Sequence, residues 1–368
     1  MAPTVRIIPA VREQAASLIP PELDRMGLGE RLKGARRIFL KPNLVSDVPE
    51  YIASGSNTEV CVIEGVLRYL RDFNVEVVLG ESDSGTRLKG RKLYYALKHM
   101  GVLDLQARYN FKIVNMTLGE LVETTIPNAI AVRQIRLART LLESDLILNL
   151  PKIKTHKYAT ITCALKNLFG IIPDPLRVTY HRFLHGVLAD LNSLFVDRHF
   201  VLTDGIRAME GNGPLFGYPR DLRILVFSND PLANDYAVAQ IMGIPWKEIR
   251  HQVLFQEHYR NLDLGSIRIE DEAGVLPCGR PFVRSRLNWF LRIEKSLLPQ
   301  PWFLKIIYAD WTLRWIVYPI RGWIRRIRGG GATWYLDREP VAVHHAVFDP
   351  AESEERMPLS SRANSADF

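Results

Sequence analysis

Along the first 280 residues, two hydrophobic regimes take turns. Short runs of aliphatic and β-branched residues recur, and between them apolar residues fall at helical spacing. The runs predict strands at Val5–Ile8, Ile38–Leu40, Val75–Leu79, Lys112–Met116, Leu146–Leu150, Phe200–Leu202 and Arg223–Phe227. The helical patterns lie at Thr58–Phe73, Lys92–Met100 and Pro231–Met242, and Thr124–Ala138 reads as a hairpin turning at Pro127–Asn128. Strands alternating with helices predict an α/β fold. The expected architecture is a mostly parallel sheet with flanking helices, arranged as two lobes, with a cleft at the C-terminal ends of the strands. Residues 281–330 read as a basic, Trp-rich amphipathic helical appendage. Residues 331–368 read as a short apolar piece followed by a disordered polar tail.

Composition narrows the class. With 47% hydrophobic and 24% charged residues in 368, the chain has material for a large core and is neither disordered nor fibrous. Its three cysteines, Cys61, Cys163 and Cys278, are too few for a four-cysteine iron–sulfur cluster and suggest no disulfide framework, so a reducing compartment is expected. The N-terminal stretch lacks a long apolar run, and no uncharged apolar segment is long enough to span a bilayer. A cytoplasmic protein is expected.

The formal net charge of +8 is concentrated in one place. Residues 284–328 hold ten Lys and Arg against Glu294 and Asp310, so the rest of the chain is neutral. The same stretch carries five of the seven tryptophans, and Arg314, Arg321, Arg325 and Arg328 share one helical wedge. Apolar surface, clustered Trp and an Arg stripe suit peripheral attachment to an anionic membrane, at the inner face of the cell membrane. A helical subdomain packed on its own core and a protein-docking surface fit the same pattern. Nucleic acid is not an expected partner, because the remaining surface is neutral.

Polar sequences follow five of the predicted strands. Lys41 and Asn43 flank Pro42 after the second strand. Glu81, Ser82 and Asp83 follow the third, a set suited to a hard metal, a sugar hydroxyl or a helix cap. Lys152, Lys154 and His156 come after Pro151, ahead of a short helix, Thr160–Leu168, with Lys166 and Asn167. Three lysines and a histidine near a helix start suit a carboxylate or phosphate. His156 is the candidate acid–base residue, and Lys166 a candidate nucleophile or base if desolvated. Asp204 and Glu210 supply carboxylates to a glycine-rich loop, 204–214, in which Gly211 and Gly213 could form an anion-binding nest. Asp230 reads as a helix N-cap before Pro231, with Asp235 one turn on. His181 and His185 are four apart, a spacing that puts two imidazoles on one helix face. With Asp83, Asp204 or Glu210 they are candidate ligands for a divalent metal.

Five phrases in order, KPNLV (41–45), LPKIKTH (150–156), T-x-x-x-K-N-L-F-G (162–170), DGIRAMEGNGP (204–214) and SNDPLANDYA (228–237), resemble the bacterial and archaeal family called domain of unknown function 362. The resemblance runs from about Val5 to Gly243. Many members carry an appended ferredoxin-like cysteine module, which this chain lacks, so no iron–sulfur cluster is implied. A weaker similarity is to nickel-pincer lactate racemases. There a histidine precedes by ten residues a lysine that holds a pyridinium-derived nickel cofactor, and a further histidine follows. His156, Lys166 and His181 match that spacing, although the surrounding sequence differs and the glycines flanking the lysine are missing.

The expected function is an enzyme acting on a small anionic substrate, with a metal in one version, attached peripherally to membrane. Lys41, Asn43, Lys152, Lys154, Asn167, Gly211 and Gly213 would bind the anion. His156 and Lys166 would carry the chemistry. The alternative is a non-enzymatic, membrane-associated protein that binds a cofactor or lipid headgroup.

Overall fold

A computed structural model describes residues 2–83, 91–174, 177–285 and 297. The basic segment from 286 on, apart from residue 297, and the C-terminal tail lie outside the described residues.

Thirteen strands are present among them: β1 (Thr4–Pro9), β2 (Arg37–Pro42), β3 (Glu76–Glu81), β4 (Lys112–Asn115), β5 (Leu121–Thr125), β6 (Gln134–Ala138), β7 (Leu146–Leu150), β8 (Lys152–His156), β9 (Thr160–Thr162), β10 (His199–Asn212), β11 (Phe216–Arg220), β12 (Ile224–Ser228) and β13 (Arg268–Asp271). Eleven form one continuous sheet whose main path runs β13–β1–β12–β10–β7–β2–β3–β4. Neighbours on that path are parallel, except that β12 runs antiparallel to both β1 and β10. The α/β class and the mostly parallel sheet are as the hydrophobic pattern predicts. The predicted hairpin is the separate β5–β6 ribbon.

The buried strands pack on both faces, as parallel sheets do. On β2, Ile38 and Leu40 join the apolar layer under helices Arg12–Arg25 and Val60–Leu70. Phe39, pointing the other way, joins Leu188 and Leu191 of helix Leu184–Ser193. Asp230 caps helix Pro231–Ile241 as expected, accepting from the amides of Leu232 and Ala233 at 2.8 and 2.9 Å.

Three local expectations are corrected. The stretch after Pro151 is not a turn: Lys152–His156 is a fully buried strand, parallel to β10 and antiparallel to β9. Its K-I-K-T-H sequence has period two, so Lys152, Lys154 and His156 share one face while Ile153 and Thr155 take the other. Second, the short helix occupies only Ala164–Asn167, because residues 160–162 pair with β8 as β9. Third, the glycine-rich stretch from Asp204 is not a loop. It belongs to β10, fourteen residues long, which pairs with β7, β8, β11 and β12.

Candidate functional site

The parallel strands β3, β2, β7 and β10 end side by side, and each brings a polar group to the same rim: Glu81, Lys41, Asn149 and Asp204. Burial of these groups demands partners, and most of them find one. Lys41 Nζ lies 2.5 Å from Glu81 Oε2 and donates at 2.8 Å to the carbonyl of Pro42. Lys152 Nζ lies 2.8 Å from Asp204 Oδ2, whose carboxylate also accepts the amides of Glu59 and Ile206. Burial raises the pKa of Asp204 despite that lysine.

An asparagine lattice holds the floor. Asn167 donates through Nδ2 to the Lys41 carbonyl (2.9 Å) and to Asn149 Oδ1 (2.7 Å), and its Oδ1 accepts from Asn43 (2.8 Å). Asn43 Oδ1 in turn accepts from Lys154 Nζ at 2.7 Å. Asn43 and Asn167 therefore spend their amides on the frame instead of presenting them to a ligand. Asp235, ambiguous in the sequence, is the anchor of this region. Its carboxylate accepts from the backbone of Ala164 (2.7 Å) and Leu165 (3.1 Å), fixing the helix that carries Lys166 and Asn167. Burial lifts its pKa to about 6.

Gly170 lies where the Lys41–Glu81 pair leaves no room for a side chain. A Cβ there would stand 2.5 Å from Glu81 Oε1 and 2.8 Å from Lys41 Nζ. The glycine that closes the T-x-x-x-K-N-L-F-G phrase is thus the lid of a buried ion pair.

Above this floor lies a rim of His156, Tyr158, Lys166, Phe169, Arg177 and His181. The Lys166 ammonium sits 4.4 Å from the centroid of Phe169, and the Arg177 guanidinium is 6.0 Å from the same ring. His181 packs edge-on against Phe169 (5.1 Å) and Tyr158 (5.4 Å). His156 Nδ1 accepts the amides of Tyr158 and Ala159, both at 3.1 Å. Two N–H donors require that nitrogen to be unprotonated, so the ring proton is on Nε2. In this state His156 is a hydrogen-bond donor toward its open edge.

Positive charge is in excess here. Lys154 donates only to uncharged oxygens, of Asn43 and of the Ser56 backbone. Lys166 has no acceptor or carboxylate partner among the described residues. Glu81 already pairs with Lys41 and lies 4.0 Å from Arg177. The consequence is a set of depressed pKa values. Burial, then Lys166 and Lys152, hold Lys154 well below the usual ammonium range. Burial, with Arg177 and Lys41 opposing and Glu81 supporting the charge, brings Lys166 down to about 7. Burial and Lys166 keep His156 neutral far below its ordinary range, and the same causes bring His181 to about 3.

Lys41, Lys154, His156, Lys166 and His181 are thus gathered together, while other candidates are dispersed. Lys152 and Asp204 neutralise each other at the edge of the cluster. Gly211 and Gly213 are no anion nest, because the amide of Gly211 donates to Val283 and that of Gly213 to Gly211. Glu210 is bound by Arg220 (3.1 Å) and Arg280 (2.8 Å) on the β10–β11 hairpin. Asp83 accepts from the Leu93 amide and Asn115. His181 and His185 do not share a helix face: the first lies in a 3-10 turn, Arg177–Phe183, and the second in the following α-helix, stacked on His251 at 6.0 Å. Among the described residues no three of His, Cys, Asp and Glu converge to hold a metal. The proposed ligand set does not fit one, and no chemistry is routed through it.

Sequence reasoning missed Arg177 and Phe169 as parts of the rim. Asn149 was detectable, since it interrupts an otherwise apolar strand, LILNL.

Two expectations test this geometry. Gly170→Ala must push Lys41 and Glu81 apart inside a dry site, and should destabilise the fold by about 3 kcal/mol in urea denaturation; wild-type stability would show that the pair tolerates displacement. The second concerns pH. His181 folds neutral, so between pH 6.5 and about 3 the unfolded chain binds a proton that the folded chain does not. Stability therefore falls as pH drops through that window, and His181→Phe should flatten the slope of stability against pH.

The chain matches the family described as Domain of unknown function (DUF362) over residues 38–240. It is 27% identical over 226 residues to the thylakoid-associated protein sll1697 of Synechocystis sp., a match covering 59% of this chain and 66% of that protein, just under two thirds of the relative's length. Among solved structures, a Thermotoga maritima protein aligns with TM-score 0.39 and 12% identity, over 68% of this chain and 60% of that one. The lactate racemase apoprotein of Thermoanaerobacterium thermosaccharolyticum aligns with TM-score 0.36 and 13% identity, over 66% and 57%. With more than half of its length matched to the family, the chain belongs to DUF362.

Proposed function

We propose that this protein is an enzyme acting on a small anionic molecule, a carboxylate or a phosphate, bound at the rim formed by His156, Lys166 and Arg177. One observation carries the reading: a buried cluster in which Lys41, Lys154, Lys166 and Arg177 lie together, with Glu81 against Lys41 and Arg177. Excess charge of one sign in a desolvated site is relieved by a ligand of the other sign. Solvent reaches the cluster at only some points. Lys41, Lys152 and Lys154 are sealed at 0–1% exposure, whereas His156, Lys166 and Arg177 retain 7–9%. The rim residues supply the contacts. Arg177 brings a guanidinium charge to the rim, held in place by donation from Nη1 to the carbonyls of Gly170 and Ile172 and from Nη2 to that of Ser82. His156 offers its Nε2–H. Lys166, poised near neutrality, can take or give a proton at the bound molecule.

The expected result is that inorganic phosphate, sulfate or a small carboxylate raises the melting temperature more than chloride does at equal ionic strength. Lys166→Met and Arg177→Met should each weaken that binding about tenfold or more in calorimetric titration. Equal stabilisation of the two variants and the wild type, with the fold checked by circular dichroism, would remove the rim from the reading.

Peripheral attachment to membrane is the second part of the proposal. No helix among the described residues is long and apolar enough to cross a bilayer. Residues 284–328 carry a charge of +8 and five tryptophans, and a relative is a thylakoid-associated protein. The segment would rest on anionic lipid by charge and by interfacial Trp. The full chain should float with anionic vesicles at low salt and release as ionic strength rises toward 1 M, where screening acts within about 3 Å. Equal flotation with neutral and anionic vesicles at every salt concentration would contradict the electrostatic attachment.

A further inference from the structure

We infer that Lys166 is an imine-forming nucleophile and that the substrate class is a small carbonyl compound bearing an anionic group, such as a 2-oxo acid. This deepens the anion-binding proposal and rests on it.

The four lysines of the site differ in one chemical respect. Lys41 and Lys152 each face a carboxylate, at 2.5 and 2.8 Å, so their amines are engaged. Lys154 is tied to two oxygen acceptors and is 1% exposed. Only Lys166 combines access from solvent with the absence of any acceptor among the described residues. Its amine lies over the face of Phe169, 4.4 Å from the ring centroid. The charged groups acting on it are Arg177 and Lys41, which disfavour its ammonium form, and Glu81, which favours it but is already engaged. His156 and His181 nearby are neutral. A desolvated lysine beside other cations, with no carboxylate of its own, is the environment that frees an amine lone pair at neutral pH. An amine serving only as an anion anchor would be better left charged. The helix bearing it is short and fixed at its start by Asp235, so the amine is presented from a held backbone.

The step balances without an outside oxidant or reductant. The lone pair of Lys166 Nζ attacks the carbonyl carbon, and the C=O π electrons move to oxygen. Both hydrogens of the amine leave with that oxygen as water, and a C=N bond takes the place of C=O. Protonation by solvent then gives the iminium. The Arg177 guanidinium, anchored on the carbonyls of Gly170, Ile172 and Ser82, lies over the same Phe169 ring as Lys166 and would attract the substrate's carboxylate by its charge.

The test uses the full-length protein with pyruvate or glyoxylate and sodium borohydride, which reduces an imine to a stable amine, followed by peptide mass spectrometry. Modification is expected on Lys166, about a hundredfold faster than on the exposed Lys33 and Lys98, with a rate that rises through pH 7 and then levels. Sulfate should protect it. Lys166→Arg should lose the adduct, because a guanidinium has no free lone pair to attack the carbonyl; phosphate binding is read on the wild type. Phosphate binding by the wild type with no preferred adduct on Lys166 would overturn the imine and leave the anion site standing. Failure of both phosphate binding and adduct formation would overturn both.

Discussion

Everything at this site depends on how a buried positive charge is tolerated. The Lys41–Glu81 pair is the one direct neutralisation on the floor, and it works only because residue 170 has no side chain and the backbone can close over it. A buried pair adds little net stability over an apolar substitute, yet breaking it leaves a stranded charge. The asparagine lattice of Asn43, Asn149 and Asn167 then aligns the ends of β2 and β7 with the lysine-bearing helix, so that Lys154 finds carbonyl dipoles where it has no counter-charge. What is left over is Lys166, which has no acceptor among the described residues and faces the rim beside Arg177.

The fold was largely legible in the chain because its strands are buried on both faces and read as continuous apolar runs. Seven predicted strands and three predicted helices all exist, with ends shifted by a few residues except at β10, which runs on from the predicted Leu202 to Asn212. The site was legible only in part. Lysines and histidine after Pro151 read as an anion-binding turn before a helix, because Pro and charge normally end a strand. Here the alternation of K-I-K-T-H is a strand pattern whose polar face points inward. The glycines at 211 and 213 read as ligand contacts, but Gly211 takes a left-handed φ of 82° near the end of β10, and Gly213, in the turn after it, marks close approach of another backbone: a Cβ there would run into the Thr155 carbonyl. Arg177 gave no sign at all, since its role comes from a turn that returns the chain over Phe169. His181 and His185 failed as a pair because the four-residue spacing straddles a change from 3-10 to α geometry.

The two imidazoles at the rim, His156 and His181, share a cause: burial and then the nearby Lys166 disfavour their charge. Burial and then Arg177 bring Lys166 itself down to about 7. Polarity in this site is thus expressed largely as lone pairs and N–H donors.

The long strand β10 gives the arrangement a mechanical side. Where the described chain leaves the sheet, the carbonyl of Val283 accepts from Gly211, and the carbonyl of Gly211 accepts from the Thr155 hydroxyl. Thr155 sits between Lys154 and His156 on β8. The exit of the polypeptide toward its basic segment is therefore two hydrogen bonds from the strand that arms the site, so a pull on that tether would be felt first at the lysine and histidine on either side of Thr155.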